Sequence, residues 1–192
     1  MTPAQLQAAA QEGAHTGYVF FRRREDAAPS VAEYLRMWGQ HNHPYNPNIA
    51  YVAFVYVDET DEKAAETSAP HLLHSMKTIY GRAMGVTPSA EVEYYQAGTQ
   101  HVTEGFNQDQ SDRLKWYDFD YLHQNTLVFV GSPETVTKKL QAASETGLFN
   151  VMCGEFNMGH LPEDDLMRSI RLFGTEVIPA LKGFDPTTKY LS

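Results

Sequence analysis

Residues 127 to 155, LVFVGSPETVTKKLQAASETGLFNVMCGE, pass from an apolar run through a helix and into a strand. Leu127 to Val130 lead into Gly131, Ser132 and Pro133, a cap followed by a proline at the first helical position, where its missing amide costs nothing. Val136, Leu140 and Ala143 recur at helical spacing, and Gly147 supplies the residue that most readily takes a left-handed stop. Asn150 to Glu155 follow as a short apolar run of strand character. Pro162 then opens a last helix with Glu163, Asp164 and Asp165 in its first turn, where negative charge suits the helix dipole. The spacing predicts that Leu166, Ile170, Phe173 and Val177 form its buried stripe, and Pro179 lies near its end.

The same alternation extends toward the amino terminus. Thr2, Pro3 and Gln5 form a capping pattern for an opening helix that Gly13 stops. His15 to Phe21 are strand formers without strict polar alternation, as suits a strand covered on both faces. A helix is expected from Pro29 to about Gly39, carrying Val31, Leu35 and Trp38, before the Asn/Pro-rich stretch from His41 to Asn48. Ile49 to Val57 form the second strand. Thr60 caps a helix expected to reach about Tyr80, with Asp58 and Glu59 before it and Asp61 and Glu62 in its first turn. Residues 81 to 125 differ: they are rich in Gly, Gln, Asn and aromatics with little sustained periodicity, and read as an inserted excursion of lid-like kind within a single domain spanning 1–192. Strands alternating with amphipathic helices imply parallel βα units in an α/β fold, either a doubly wound sheet or a barrel.

Composition narrows the function. With 24 acidic against 15 basic side chains the net charge is -9, which repels phosphate backbones and anionic lipid headgroups, so nucleic acid and membrane are poor partners. No apolar run approaches the roughly 20 residues that span a bilayer, and the start lacks a basic-then-apolar signal, so a cytoplasmic location is expected. Cys153 is the single cysteine, which removes intramolecular disulfides; mid-strand, it is expected to behave as a small buried hydrophobe. His41 and His43 lie two apart, and His71 and His74 three apart on one helical face, but no carboxylate joins them in a ligand motif and no metal is expected.

Two segments carry a family resemblance. Val130-Gly-Ser-Pro-Glu-Thr-Val136, followed by a helix ending at Gly147 and then a strand, resembles the V-G-x-P-E-x-V pattern that precedes the final barrel strand in luciferase-like flavin monooxygenases. Met158-Gly-His-Leu-Pro162, Arg168-Ser-Ile-Arg-Leu-Phe173 and Glu176-Val-Ile-Pro-Ala-Leu181 resemble the last helix of that family, with its S-x-x-L-F and E-V-x-P pattern. A weaker third likeness lies in Val57-Asp-Glu-Thr60 and Lys63-Ala-Ala65, similar to the family's acid-threonine step after the seventh strand.

The resemblance implies a partial TIM (β/α)8 barrel, roughly the sixth to eighth βα units plus the inserted excursion. His15 to Phe21 then correspond to the sixth strand, Ile49 to Val57 to the seventh and Asn150 to Glu155 to the eighth. It further implies a flavin-dependent monooxygenase using reduced FMN, or less readily a deazaflavin, with dioxygen and a small-molecule substrate. Homo-oligomerisation, or a partner chain that supplies the missing strands, is expected with it. The alternative is a non-catalytic flavin-binding or dimerising remnant of the same fold.

Barrel sites gather at the carboxyl ends of strands. Cofactor contacts are therefore expected at Phe21 and Arg22, Arg22 holding an anion, and at Glu155 as a polar contact. Thr2 sits where the family binds the flavin phosphate. Each has a plainer reading: Arg22 as one of a solvated Arg run, Glu155 as a salt-bridge partner, Thr2 as an ordinary cap. Ser132 offers a geometry like that of Thr2, but Pro133 removes one amide donor. Catalytic acids or bases cannot be assigned from these strands.

Overall fold

The computed structural model of the chain describes residues 3–20, 23–80 and 115–184. Helix α1, Pro3–Glu12, is followed by strand β1, Thr16–Val19; helix α2, Arg24–Trp38, by strand β2, Ile49–Val57; and helix α3, Asp61–Ser75, runs into a π-helical turn, Met76–Tyr80. After a 3-10 turn, Lys115–Tyr117, come α4, Phe119–Gln124, the short strand β3, Phe129–Gly131, helix α5, Pro133–Ser144, and strand β4, Val151–Glu155. Helix α6, Glu163–Leu172, continues through a π turn, Phe173–Val177, into the single turn α7, Ile178–Ala180. Among the described residues no helix is long and apolar enough to cross a membrane.

All strand pairings are parallel, and β2 takes part in each. β1 pairs with Ile49 to Val52 and β4 with Ala50 to Phe54, so the two must occupy opposite edges of β2. The amide directions say which edge β3 uses. Phe20 N–H donates to the Val52 carbonyl and Asp58 N–H to the Gly131 carbonyl, and alternate residues of a strand point to one edge. β3 therefore takes over the edge that β1 leaves. At the other edge, beyond the end of β4, the Ser169 hydroxyl of α6 accepts from Val57 N–H at 2.8 Å.

Side-chain alternation divides the sheet into two unlike faces. One carries Ile49, Tyr51, Ala53, Val55 and Val57, all buried, and packs in one core with Val31, Tyr34 and Trp38 of α2 and Val136 and Leu140 of α5. On the other face Gly17, Val19, Ala50, Val52, Val151 and Cys153 share register positions and remain half- to fully exposed, Val19 at 40%. Toward the carboxyl end this face closes again at Phe54 and Tyr56. A central parallel strand with one bare face departs from the usual burial of such strands on both sides.

The structure alters several expectations. α2 begins at Arg24, with Pro29 inside it, because Arg24 is drawn into the protein by a 2.7 Å bond from its guanidinium to the Thr126 carbonyl, which ties the helix start to the loop before β3. The stripe expected on the last helix is turned: Ile170 is 40% exposed while Ser169 is buried, since the hydroxyl bond to Val57 N–H points Ser169 at the sheet. Cys153, expected to be buried, is exposed, because it lies on the bare face. Of the excursion, 81–114 lie outside the described residues; 115–125 are helical and anchored by buried Trp116 and Leu122.

The strand ends are joined through two carboxylates. Asp58 is wholly buried and receives two bonds from Arg168 at 2.9 and 3.2 Å, one from the Tyr56 hydroxyl at 3.3 Å and one from Glu59 N–H at 2.8 Å. Asp61 accepts from Ser132 N–H at 2.6 Å and from the Thr135 hydroxyl at 2.9 Å. Removing one partner of a buried ion pair leaves an uncompensated charge, so Arg168→Met is expected to destabilise the chain by about 3 kcal/mol in urea titrations. Gly131 makes a second test: at φ +153° a Cβ would lie 2.8 Å from Asp61 Oδ1 and 2.8 Å from Thr135 Cγ2. Gly131→Ala should lower the urea midpoint by an amount equivalent to about 1–3 kcal/mol, while Gly174→Ala, where a Cβ meets nothing, should not.

Candidate functional site at the carboxyl ends of the strands

Parallel α/β sheets bind ligands outside the carboxyl ends of their strands, because loops and helix starts converge there. In this chain that rim is formed by Asp58 to Asp61 after β2, Gly131 at the end of β3 with Ser132 after it, and Glu155 at the end of β4 with Phe156 after it. Local sequence explains each start. Thr60 caps α3 by accepting from Lys63 N–H at 3.2 Å, and Ser132 caps α5 by accepting from Thr135 N–H at 3.3 Å.

The rim is strongly acidic, and its Asp58 and Asp61 carboxyls are already partnered. Burial opposes ionisation of Asp58, but hydrogen bonds from Arg168 and the Glu59 amide, with the Arg168 charge, outweigh it and hold the carboxyl below its ordinary range. Arg168 also bonds Asp165 at 2.6 Å, so one guanidinium bridges β2 to the first turn of α6. Lys63 approaches Asp58 at 3.4 Å and Glu59 at 3.0 Å. Burial likewise opposes Asp61, and the Ser132 amide and Thr135 hydroxyl overcome it. Burial pushes the Tyr56 phenol up to about 12, so it stays a hydrogen-bond donor to Asp58. Beside this group Lys139 Nζ lies 2.7 Å from His123 Nε2, and burial lowers the lysine.

Of the residues proposed from sequence for cofactor contact, Thr2, Phe21 and Arg22 lie outside the described residues. Glu155 ends β4, half-buried and engaged with another residue, opposite buried Phe54 in the register. Sequence reasoning did not single out the Tyr56–Asp58–Arg168 group or the Asp61–Ser132–Thr135 clasp as a unit. The signal was present in the acidic run after the second strand, but its basic partner stands 110 positions away. The histidine pairs have ordinary roles: His43 Nε2 lies 2.8 Å from the Ala10 carbonyl, and the His74 ring packs on His160 at 4.1 Å. Among the described residues no group of three or more His, Cys, Asp or Glu could hold a metal ion.

The described rim does not fit a phosphate-bearing flavin by itself. The starts of α3, α5 and α6 each carry carboxylates in the first turn, and Asp61 already takes the Ser132 amide. An anionic phosphate at any of these helix ends meets negative charge instead of free donors. On the bare face below the rim the described residues Gly17, Val19, Ala50, Val52, Val151 and Cys153 carry no charge.

The model of the luciferase-like monooxygenase family matches residues 1–149, so the chain belongs to that family. The match ends before β4, and the likeness noted over Met158 to Leu181 lies beyond it. No curated protein matches the chain. Among solved structures, the monooxygenase RslO1 of Streptomyces bottropensis aligns over 93% of this chain and 45% of its own, at 18% identity and a TM-score of 0.60. The oxygenating constituent of 3,6-diketocamphane monooxygenase of Pseudomonas putida, a type II Baeyer-Villiger monooxygenase solved with FMN, aligns over 91% and 45%, at 20% identity and a TM-score of 0.61. The chain thus spans less than half the length of these structures, and its fold is theirs over that span.

The depressed carboxyls fix an acid response. A carboxyl held below its unfolded value contributes stability that is complete above that value and is lost as pH falls through the folded one. Urea midpoints should therefore hold steady down to about pH 4 and drop below it. Asp58→Asn should start from a lower midpoint and show a shallower acid limb.

Proposed function

We propose that this chain is the carboxyl-terminal arc of a (β/α)8-barrel, flavin-dependent monooxygenase, with β1, β2 and β4 standing as its sixth, seventh and eighth staves. The observation that carries the reading is the bare face of β2. A central strand whose Ala50 and Val52 lie half-exposed, between Val19 on one neighbour and Cys153 on the other, is shaped to be covered by further apolar side chains. In a barrel that covering comes from the opposite staves, whose side chains fill the interior in layers. Less than half of each solved relative is represented here, which matches an arc and not a closed cylinder.

The chemistry assigned is oxygenation of a small-molecule substrate by dioxygen, with reduced FMN supplying oxygen activation. Family membership and the FMN complex of one structural neighbour support this. Because the described helix starts are loaded with carboxylates, the phosphate of FMN is assigned to residues outside them, with Thr2 and Arg22 the candidates from sequence. Glu155 is proposed as the polar contact from the last stave. Residues 81–125 are proposed as an insertion within one domain. No reaction step is assigned to the side chains described.

A second reading rests on the same bare face: a non-catalytic remnant that closes against a second copy of itself. One experiment separates the two. The purified chain is titrated with FMN and sized by light scattering, alone and with a polypeptide carrying the first five βα units of such a barrel. The arc reading expects FMN uptake only in the mixture, with Val52→Glu blocking assembly while leaving the circular dichroism of the chain unchanged. Stoichiometric FMN binding by the chain alone, or a monodisperse, high-melting monomer, would overturn it. A stable dimer without flavin in either sample would favour the remnant.

A further inference from the structure

Away from the rim, the layer between α2 and the sheet holds a cation that has no ion-pair partner among the described residues. Arg24 is 8% exposed and is the one buried basic side chain among the described residues. Its guanidinium donates to the Thr126 carbonyl at 2.7 Å and lies 5.9 Å from the Tyr51 ring centroid. Arg24 Nε is buried without an acceptor, and so is the Tyr51 hydroxyl. The two groups are neighbours: burial pushes the Tyr51 phenol up to about 12, while the Arg24 charge and a side-chain hydrogen bond from Arg24 act against it. The phenol oxygen therefore faces the guanidinium, and it is the hydroxyl hydrogen that has no acceptor. Glu25 is also felt there but is exposed, and the ion pairs among the described residues leave Arg24 out.

Two facts select the missing partner. A buried guanidinium and a buried phenol both present donors, and leaving such groups without an acceptor costs free energy that folded proteins rarely tolerate. A water could accept from both but would leave the charge uncompensated, at the first residue of α2, where the helix dipole adds further positive character. The Tyr51 ring is closed over by Tyr18 at 5.0 Å and Phe149 at 5.2 Å, so nothing bulky reaches this point. We propose that Arg24 Nε and the Tyr51 hydroxyl together hold a small monovalent inorganic anion of chloride size, buried between α2 and the sheet. By neutralising Arg24 the anion fastens the start of α2 to the Thr126 loop, whose φ of +51° is unusual for a β-branched residue. This inference is independent of the flavin assignment.

The full chain serves for the test. Thermal melts at constant ionic strength, exchanging sodium gluconate for sodium chloride, should show a melting temperature that rises with chloride and saturates, as for a ligand bound only by the folded state. Chloride-35 NMR should show excess linewidth from the wild-type protein. Tyr51→Phe removes one donor and keeps the ring, and should weaken chloride binding roughly tenfold. Arg24→Lys keeps the charge but loses Nε, and should abolish the saturating dependence. Equal melting temperatures in the two salts with no excess linewidth in the wild type would overturn the proposal and assign a bridging water. So would a chloride dependence unchanged in Tyr51→Phe and Arg24→Lys.

Discussion

The ion pair between Asp58 and Arg168 is the joint on which the rest of this structure depends. Asp58 stands one residue past β2, the strand that every other strand pairs with, and Arg168 stands in the middle of α6. The pair therefore fixes the last helix against the central strand rather than against a neighbour in sequence. A wholly buried carboxylate is tolerable because a guanidinium, a phenol and a backbone amide all donate to it. Asp61, three residues on, does for α5 what Asp58 does for α6, accepting from Ser132 and Thr135. One acidic turn after one strand thus sets the position of two helices.

That placement explains how an open sheet keeps its shape. β1 and β4 pair only with β2 among the described residues, so the sheet has two free edges and one bare face. Hydrophobic packing holds the helix-covered side, where Tyr51, Phe129 and Phe149 pack ring to ring. It contributes nothing to the other side over the first half of the strands. The polar clasps act at the carboxyl end, where Phe54 and Tyr56 close the bare face again. The molecule is tied where ligands of this architecture bind and open in the middle, where a barrel interior would be filled.

How much of this was legible in the sequence follows from how local each cause is. Thr60 and Ser132 announced their helices because a cap acts within three residues, and Ile49 to Val57 announced β2 through a run of strand formers longer than any competing pattern. β3 did not stand out, being three residues long and defined by Val55 to Val57 across the sheet. Proline marks helix starts, so the sequence places the start of α2 at Pro29; its start at Arg24 depends on the Thr126 carbonyl, 102 positions away. The last helix was read from apolar spacing, which favours Ile170 over Ser169, whereas one side-chain bond to Val57 reversed the choice. Cys153 departs from its expected burial because a parallel strand is usually covered on both faces, and this sheet covers one. Among the candidate cofactor contacts, only Glu155 falls in the described residues, at the strand end where its spacing put it.

The acidic rim and the bare face bear on function in opposite ways. The residues that make the joint at Asp58 and Asp61 are chosen for holding helices, and in doing so they use the amides and load the helix ends that an anion would need. A site built on these three strands alone is consequently poor in free donors for a phosphate and rich in apolar surface for a ring. In a cylinder such a division is natural, because staves from different parts of the chain contribute different parts of one pocket. Fold membership alone would not require it; many chemistries share the barrel. The mismatch among the described residues is specific: structural carboxylates stand at the mouth and uncharged side chains on the strands below it.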